Sequence, residues 1–167
     1  LPPLALAPVE AVGTADAGQA LHYRLAYADA QQLRPYAQAR WSQPPAQLLQ
    51  QRLREQLAQR RAVLGLVEAA SLARDAKAGG TAPDQLRVEL EEFSQVFTSP
   101  QDSAGVIRLR ATVLRPGPGG MQLRGQRAFT VRHPAPQPDA AGGVQALTAA
   151  SDQAIAQLLQ WLEQMEP

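Results

Sequence analysis

The residues best suited to acid–base chemistry are three glutamates in the segment VELEEF, residues 88–93: Glu89, Glu91 and Glu92. Paired carboxylates catalyse proton transfer when a cleft holds them in environments that shift their pKa values. Here the alternation of apolar and charged residues predicts a strand that turns Glu89 and Glu91 to one face, where no cleft is implied. We therefore interpret these glutamates as solvated charges and predict no catalytic residue.

Metal and cofactor sites lack their usual residues. The sequence contains no cysteine, and its two histidines, His22 and His133, are too far apart for a zinc-ligand motif. We predict that His22 faces solvent on a strand and that His133 lies in a loop. Nucleophile-elbow, Walker and dinucleotide-binding motifs are absent, and the glycines of RPGPGG, residues 115–120, form a turn between two predicted strands. We predict no metal and no cofactor.

Composition restricts the classes of partner and the number of domains. The chain has 167 residues, enough for one domain with a sizeable core. Its 16 basic and 15 acidic residues give a net charge of +1, which argues against nucleic acid as a partner. No apolar run approaches the ~20 residues of a membrane span. Because the first residue is Leu rather than Met, we expect a processed chain.

Residues of interface type are concentrated in RLAYADAQQLRPYAQARWSQPP, residues 24–45, where Tyr36, Arg40 and Trp41 precede a double proline. Tyr, Arg and Trp dominate the energetics of protein interfaces, so these three are our candidate partner-binding residues. The alternative is that they pack the corner between a strand and a helix. The sequence leaves both interpretations open.

The N-terminal half is predicted to contain strands around one helix. Residues 1–18 are rich in Pro, Ala and Gly and suit a mobile arm with an edge strand at about residues 4–9. Alternation predicts a strand at 21–27, and 34–41 suits a second, edge strand because it contains a proline. Ser42 is the expected N-cap of the following helix, in which Leu49, Leu53 and Leu57 recur every four residues. An apolar run at 62–71 is expected to return as a strand parallel to an earlier one, and 73–84 to form a loop.

The C-terminal half is predicted to be a three-stranded meander followed by a long helix. Segments 85–97, 105–114 and 121–131 alternate, and a phase slip near Glu92 indicates a β-bulge. After a linker at 133–143, the last helix should bury one stripe: Val144, Leu147, Ser151, Ile155, Leu158 and Leu162. Charge on one face of the strands indicates that this sheet face is exposed or faces a partner. The fold class is therefore α/β, one domain with a mixed, largely antiparallel sheet and two long helices.

Four segments, in this order, resemble the ABC-type transport auxiliary lipoprotein family, whose members include paraquat-inducible protein C. They are YRLAYADAQQLRPYAQARWSQPPAQLLQQRLREQL, LRVELEEFSQVF, AGVIRLRATVL and GGVQALTAASDQAIAQLLQWL, and they extend from about residue 20 to 163. The most distinctive feature is Tyr36 and Trp41 followed by the double proline. The likeness is specific as a whole, although no single segment is a chemical motif.

This resemblance implies a fold similar to the amino-terminal domain of TolB, which is anticodon-binding-domain-like, and no enzymatic activity. It implies a periplasmic domain at residues 21–167 and an extended arm at 1–20 that follows an N-terminal lipid anchor, which kinship with the family places in the outer membrane. The expected partners are a mammalian-cell-entry (Mce) domain protein and its ABC transporter in lipid transport across the Gram-negative envelope. The family's lipidated cysteine is missing from this sequence, so we expect a signal peptide ending in a lipobox shortly before Leu1.

Two functions remain open from the sequence. The first is a non-catalytic adaptor that binds protein partners and could form a homo-oligomer through its sheet edges or polar sheet face. The second is a carrier that holds a lipid or small hydrophobe in its own pocket. Aromatic residues make up 5% of the chain, and the apolar residues are already used by two helix stripes and one sheet face. Little is left to line an enclosed cavity, which favours the adaptor.

Overall fold

Three long strands form the body of the sheet. The computed structural model of the protein describes residues 1–16, 18–75 and 81–166. In it, β6 (Asp84–Phe97), β7 (Ser103–Gly117) and β8 (Gly120–Pro134) form the predicted antiparallel meander. The other elements are, in chain order, β1 (Leu4–Leu6), β2 (Glu10–Ala11), a short 3-10 helix (Gly13–Ala15), β3 (Ala20–Leu25), β4 (Asp29–Arg40), α1 (Pro45–Ala58), β5 (Val63–Leu64), α2 (Leu66–Asp75) and α3 (Ala140–Met165). The single-domain α/β fold with a mixed sheet is confirmed.

The predicted bulge lies in β6. Leu90 pairs with Leu109 and Glu92 pairs with Arg108, so Glu91 is the extra residue on the bulged strand. An extra residue restores the phase of an alternating strand. Phe93 consequently packs against the same core as Leu90.

The other edge of β6 is occupied by the N-terminal segment, which corrects the expected edge strand at 4–9. β1, β2 and β3 pair one after another in parallel with β6, and β1 is internal, because β5 pairs with its other side. All three residues of β1 are buried. Its sequence, LAL, is apolar on both faces, which suits a strand inside a sheet. The beginning of the expected arm at 1–20 is therefore part of the sheet.

An antiparallel hairpin of β3 and β4 completes the sheet. β4 extends the predicted strand at 34–41 backwards to Asp29. It lies at the sheet edge, as Pro35 required, because proline cannot donate a ladder hydrogen bond.

The helices α1 and α3 cover one face of the sheet and bury the predicted stripes. Leu53 and Leu158 are almost fully buried and belong to one continuous core. The expected cap at Ser42 is wrong: α1 begins at Pro45, in the first position, where proline is favoured. α3 begins at Ala140 with Asp139 as its cap, so it takes in the end of the expected linker at 133–143. Val144 in its first turns is exposed rather than buried.

The apolar run at 62–71 is mostly helical, which corrects the expected strand. The predicted parallel strand is confirmed as β5, which pairs with β1, but it is only two residues long and ends before Gly65. The backbone N–H of Gly65 donates to Glu68 Oε2 at 2.9 Å, an arrangement that satisfies an orphan amide at a helix start. Alanine-rich α2 follows. Of the expected loop at 73–84, residues 76–80 lie outside the described residues. No helix in the described ranges is long and apolar enough to cross a membrane.

Candidate partner-binding cleft

Trp41 stands at the corner between β4 and α1. Its backbone N–H donates to the carbonyl of Gln19 at 2.7 Å. Its indole meets the ring of Phe93 edge-on, with centroids 5.3 Å apart, a favoured geometry for aromatic pairs. The side chain is half-buried, and neighbouring Arg40 is exposed.

A mainly apolar cleft of about 270 Å³ opens beside this corner, between α1 and α3. We call it the Trp41 cleft. It is lined by Trp41, Phe93, Pro45, Leu48, Leu49, Gln51, Arg52, Glu55, Thr148 and Ser151. Arg52 forms an ion pair with Asp152 that joins α1 to α3 at the rim. The arrangement suits the side chain of a docking partner, because an aromatic anchor lies within an apolar surface that has a polar rim.

Tyr36 is not among the residues lining this cleft. Its hydroxyl donates to Gln95 Oε1 at 2.7 Å, and its ring lies 4.6 Å from that of Tyr23. Burial is the main cause that raises the pKa of Tyr36 to about 12 from its ordinary 10.0. Because a buried hydroxyl needs a partner, the contact with Gln95 gives Tyr36 a role within the fold.

Gln95 is the centre of a polar cluster that the sequence analysis missed. It is completely buried, and its Nε2 donates to Ser103 Oγ at 2.9 Å and to the carbonyl of Asp139 at 3.0 Å. The cluster thus joins β4, β6, β7 and the N-terminus of α3. A glutamine in an apolar strand signals such a cluster only weakly, since the alternation alone does not locate its partners.

The glutamates of VELEEF occupy different environments. Glu89 is exposed, and Glu91 accepts a hydrogen bond from Arg110 Nε at 3.2 Å. Glu92 is buried and lies 3.2 Å from Arg24; it also accepts from the hydroxyl of Ser94. These contacts fix the strands and enclose no cleft.

The histidines are also apart. His133 lies in β8, where it pairs with Gly105, and not in the expected loop; its Nδ1 is 3.1 Å from Gln153 Nε2. His22 is on a strand, β3, as predicted, and is half-buried. Within residues 1–16, 18–75 and 81–166, no group of three His, Cys, Asp or Glu side chains could hold a metal ion.

Comparison with known proteins gives both a family and a fold. The model of the family described as "ABC-type transport auxiliary lipoprotein component" matches residues 2–159. No curated protein matches the chain significantly.

Several solved structures share the fold. A protein of Xanthomonas campestris assigned to the family model DUF330 is similar with a TM-score of 0.79 and 20% identity, over 99% of this chain and 86% of that one. A hypothetical protein of Chlamydia trachomatis has a TM-score of 0.53 and 9% identity, over 93% and 94%. The PelC dodecamer of Paraburkholderia phytofirmans has a TM-score of 0.51 and 12% identity, over 93% and 83%. At these identities the likenesses establish the fold alone.

Proposed function

Because the chain belongs to the family of ABC-type transport auxiliary lipoprotein components, we propose that it is a non-catalytic component of an Mce-type lipid transport system. In this proposal the domain works in the periplasm, and a lipid on a cysteine that precedes Leu1 in the precursor holds it to the outer membrane. It binds the Mce-domain protein of the system and, with it, the ABC transporter that moves lipid between the two membranes.

The Trp41 cleft is the observation that supports the docking role. The half-buried Trp41 lines a mainly apolar cleft of about 270 Å³, and the exposed Arg40, which does not line the cleft, is its neighbour in the chain. Trp and Arg in such settings are the residues most often found to dominate binding energy. Because Arg40 is exposed, its side chain is accessible to a partner.

The test of docking uses the chain's second tryptophan as a matched control. Trp161 is also half-buried and meets Phe129 edge-on, with centroids 5.8 Å apart, but it is outside the Trp41 cleft. Trp41→Ala and Trp161→Ala should each lower the free energy of unfolding, whereas only Trp41→Ala should also abolish capture of the cognate Mce-domain protein. Arg40→Ala should weaken capture without lowering thermal stability. Equal capture by all three variants would place the docking surface elsewhere.

The anchoring part of the proposal has its own test. The native precursor, expressed in a Gram-negative host, should incorporate a labelled fatty acid at a cysteine shortly before Leu1 and fractionate with the outer membrane. A precursor without a signal sequence would refute the anchoring and the periplasmic location together.

A carrier with its own lipid pocket is the alternative function. The cleft near Leu1, of about 410 Å³, is near the lower end of the ~300–1,000 Å³ found for pockets of drug-sized ligands. A two-chain phospholipid is larger than such ligands, so this volume favours the adaptor. Native mass spectrometry of the periplasmic protein separates the two, because stoichiometric co-purified lipid would support the carrier and reject the adaptor.

Self-association is a further part of the proposal. β8 pairs only with β7 in the described chain, so a 15-residue strand has one open edge that a second copy can extend. The related fold of PelC forms a dodecamer. Sedimentation should show a concentration-dependent oligomer, and a strictly monomeric protein at high concentration would exclude this part.

A further inference from the structure

Exposed apolar side chains are concentrated at one end of the molecule. Among the described residues, eight large apolar side chains are exposed: Leu1, Tyr27, Leu66, Val67, Leu72, Met121, Leu123 and Val144. Six of them, all but Tyr27 and Val144, belong to the N-terminus, α2 and the start of β8. We call this region the N-terminal end. Such clustering differs from the scattered exposed apolar residues that are normal on a protein surface.

Strand register places these three elements at the same end of the sheet. Leu4 in β1 pairs with Asp84 at the start of β6, and β7 ends beside that start, where Leu114 pairs with Gln85 and with Leu123. Leu1 and Leu72 line the same cleft as Asp84. Tyr27 and Val144 belong to the opposite end, because the hairpin and the first turns of α3 lie where β6 finishes.

The helix α2 contributes three of these six side chains, Leu66, Val67 and Leu72. None of its ten residues is buried, and the side chain of Val67 is 82% exposed. A helix of a globular protein normally buries an apolar stripe. Val67 and parts of Leu66 and Leu72 are thus in water in the isolated domain.

The charges at this end balance only when α2 is included: Arg61, Arg115 and Arg124 exceed Asp84 and Glu166 by one, and α2 has the opposite excess through Glu68 and Asp75 against Arg74. Arg61 pairs with Glu166 at 2.9 Å, and Asp84 pairs with Arg115 at 3.0 Å and with Arg124 at 2.8 Å. No single-sign field is left among these groups to select a charged protein partner. Exposed apolar side chains on three separate elements suit the interface of a lipid bilayer, where the strength of binding increases with the apolar area that is buried.

We propose that the N-terminal end lies on the membrane surface, with α2 in the interface. This inference rests on the proposed lipid anchor, which would be attached just before Leu1, itself part of the apolar end. The anchor holds α2 at a high effective concentration beside the bilayer, so a few side chains are sufficient to orient the domain. Trp41, which precedes α1 whereas α2 follows it, then lies on the side of the domain away from the membrane, towards the transport partners.

The experiment uses the absence of cysteine in the chain. Val67→Cys and Val144→Cys place one spin label on the same residue type at opposite ends; both sites are exposed, and circular dichroism verifies the fold. The lipidated protein is reconstituted in vesicles of phosphatidylethanolamine and phosphatidylglycerol, where collisions with oxygen and with a water-soluble nickel complex are measured. At position 67, oxygen collisions should increase and nickel collisions decrease when the protein is on vesicles, with no such change at 144.

Two results would overturn the inference. Equal nickel accessibility at both positions on vesicles would show that α2 stays in water. A label at 67 that is immobilised without gaining oxygen collisions would show that protein, a partner or a second copy, covers α2. Acylation of the preparation is read separately by mass spectrometry. Its absence refutes the proposed anchor, whereas an acylated protein with α2 in water refutes only the membrane contact.

Discussion

Gln50 holds the N-terminal segment against α1 through one short hydrogen bond. Its Oε1 accepts from the backbone N–H of Val9 at 2.6 Å in a partly buried position. Gln50→Ala should therefore lower the free energy of unfolding by about 1–2 kcal/mol, since it leaves that amide without its partner. Gln47, exposed on the same helix, is the matched control, and Gln47→Ala should be neutral in urea denaturation. Equal urea midpoints for Gln50→Ala and Gln47→Ala would mean that water accepts the hydrogen bond of the Val9 N–H in place of Gln50.

Leu53 and Leu158 are central to the core. They are 1% and 0% exposed and project from α1 and α3 into one cluster. Leu→Ala at either position should cost about 2–5 kcal/mol, the range for a cavity that neighbouring atoms do not refill. Chemical denaturation measures it, and a neutral Leu53→Ala would contradict the buried face assigned to α1.

Tyr36 gives the protein a specific response to alkali. Its pKa is about 12 in the folded state against an ordinary 10.0, so folding favours the neutral phenol. Its contribution is complete below pH 10 and is lost as the pH rises from 10 towards 12, because the unfolded chain releases the proton more readily. Wild type should lose more stability than Tyr36→Phe across this interval, in parallel denaturation series. Identical pH slopes would show that Tyr36 titrates normally when folded.

Tyr36→Phe also tests the buried cluster at neutral pH. The variant keeps the ring but leaves Gln95 Oε1 without its donor, at an expected cost of about 1–3 kcal/mol, which urea denaturation at neutral pH measures.

The candidate site was only partly predictable from the sequence. Residue type singled out Trp41 and Arg40, but nothing local distinguishes a tyrosine that packs inside from one that faces a partner. That distinction depends on Gln95, 59 positions away.

At the scale of elements, the approach of α3 to the sheet depends on Gly105 in β7. A Cβ at this position would lie 2.6 Å from the backbone nitrogen of Leu147 and 2.7 Å from the carbonyl carbon of Ala146. Gly105→Ala should therefore force α3 from the sheet and cost about 1–3 kcal/mol. Gly119, where a Cβ would meet nothing within 4 Å, is the control. Thermal melts that shift equally for both alanine variants would refute this packing role.

Elements with a clear periodicity were predictable, and elements defined by distant pairing were not. The leucine stripe of α1, the alternation of β6 and its bulge carry their signals within a dozen residues. β1 is three residues long, and its position inside the sheet comes from pairing with residues 84–86. The run at 62–71 contains apolar residues that suit a strand or a helix. β5 ends just before Gly65 and α2 begins just after it.

For the whole molecule, Trp41 and α2 are separated by the length of α1, since Trp41 precedes this helix and α2 follows it. The 14 residues of α1 span about 20 Å, so changes at the two ends should be energetically independent. In solution, Val67→Asp should leave the affinity for the Mce-domain protein within about twofold of wild type, as for distant sites. Isothermal titration measures this, and a loss comparable to that of Trp41→Ala would show that α2 itself contacts the partner.

The parallel pairing along β6 also favours one order of folding. Leu4 meets Asp84, and Tyr23 meets Gln95, so each contact closes a loop of more than 70 residues. The β6–β8 meander closes short hairpins and has the lower contact order, which favours its earlier formation. During synthesis the N-terminal segment is therefore made first and joins the sheet late. Until it does, β6 presents an open edge on which another unfolded chain can pair, and this interval is when the protein is most exposed to aggregation.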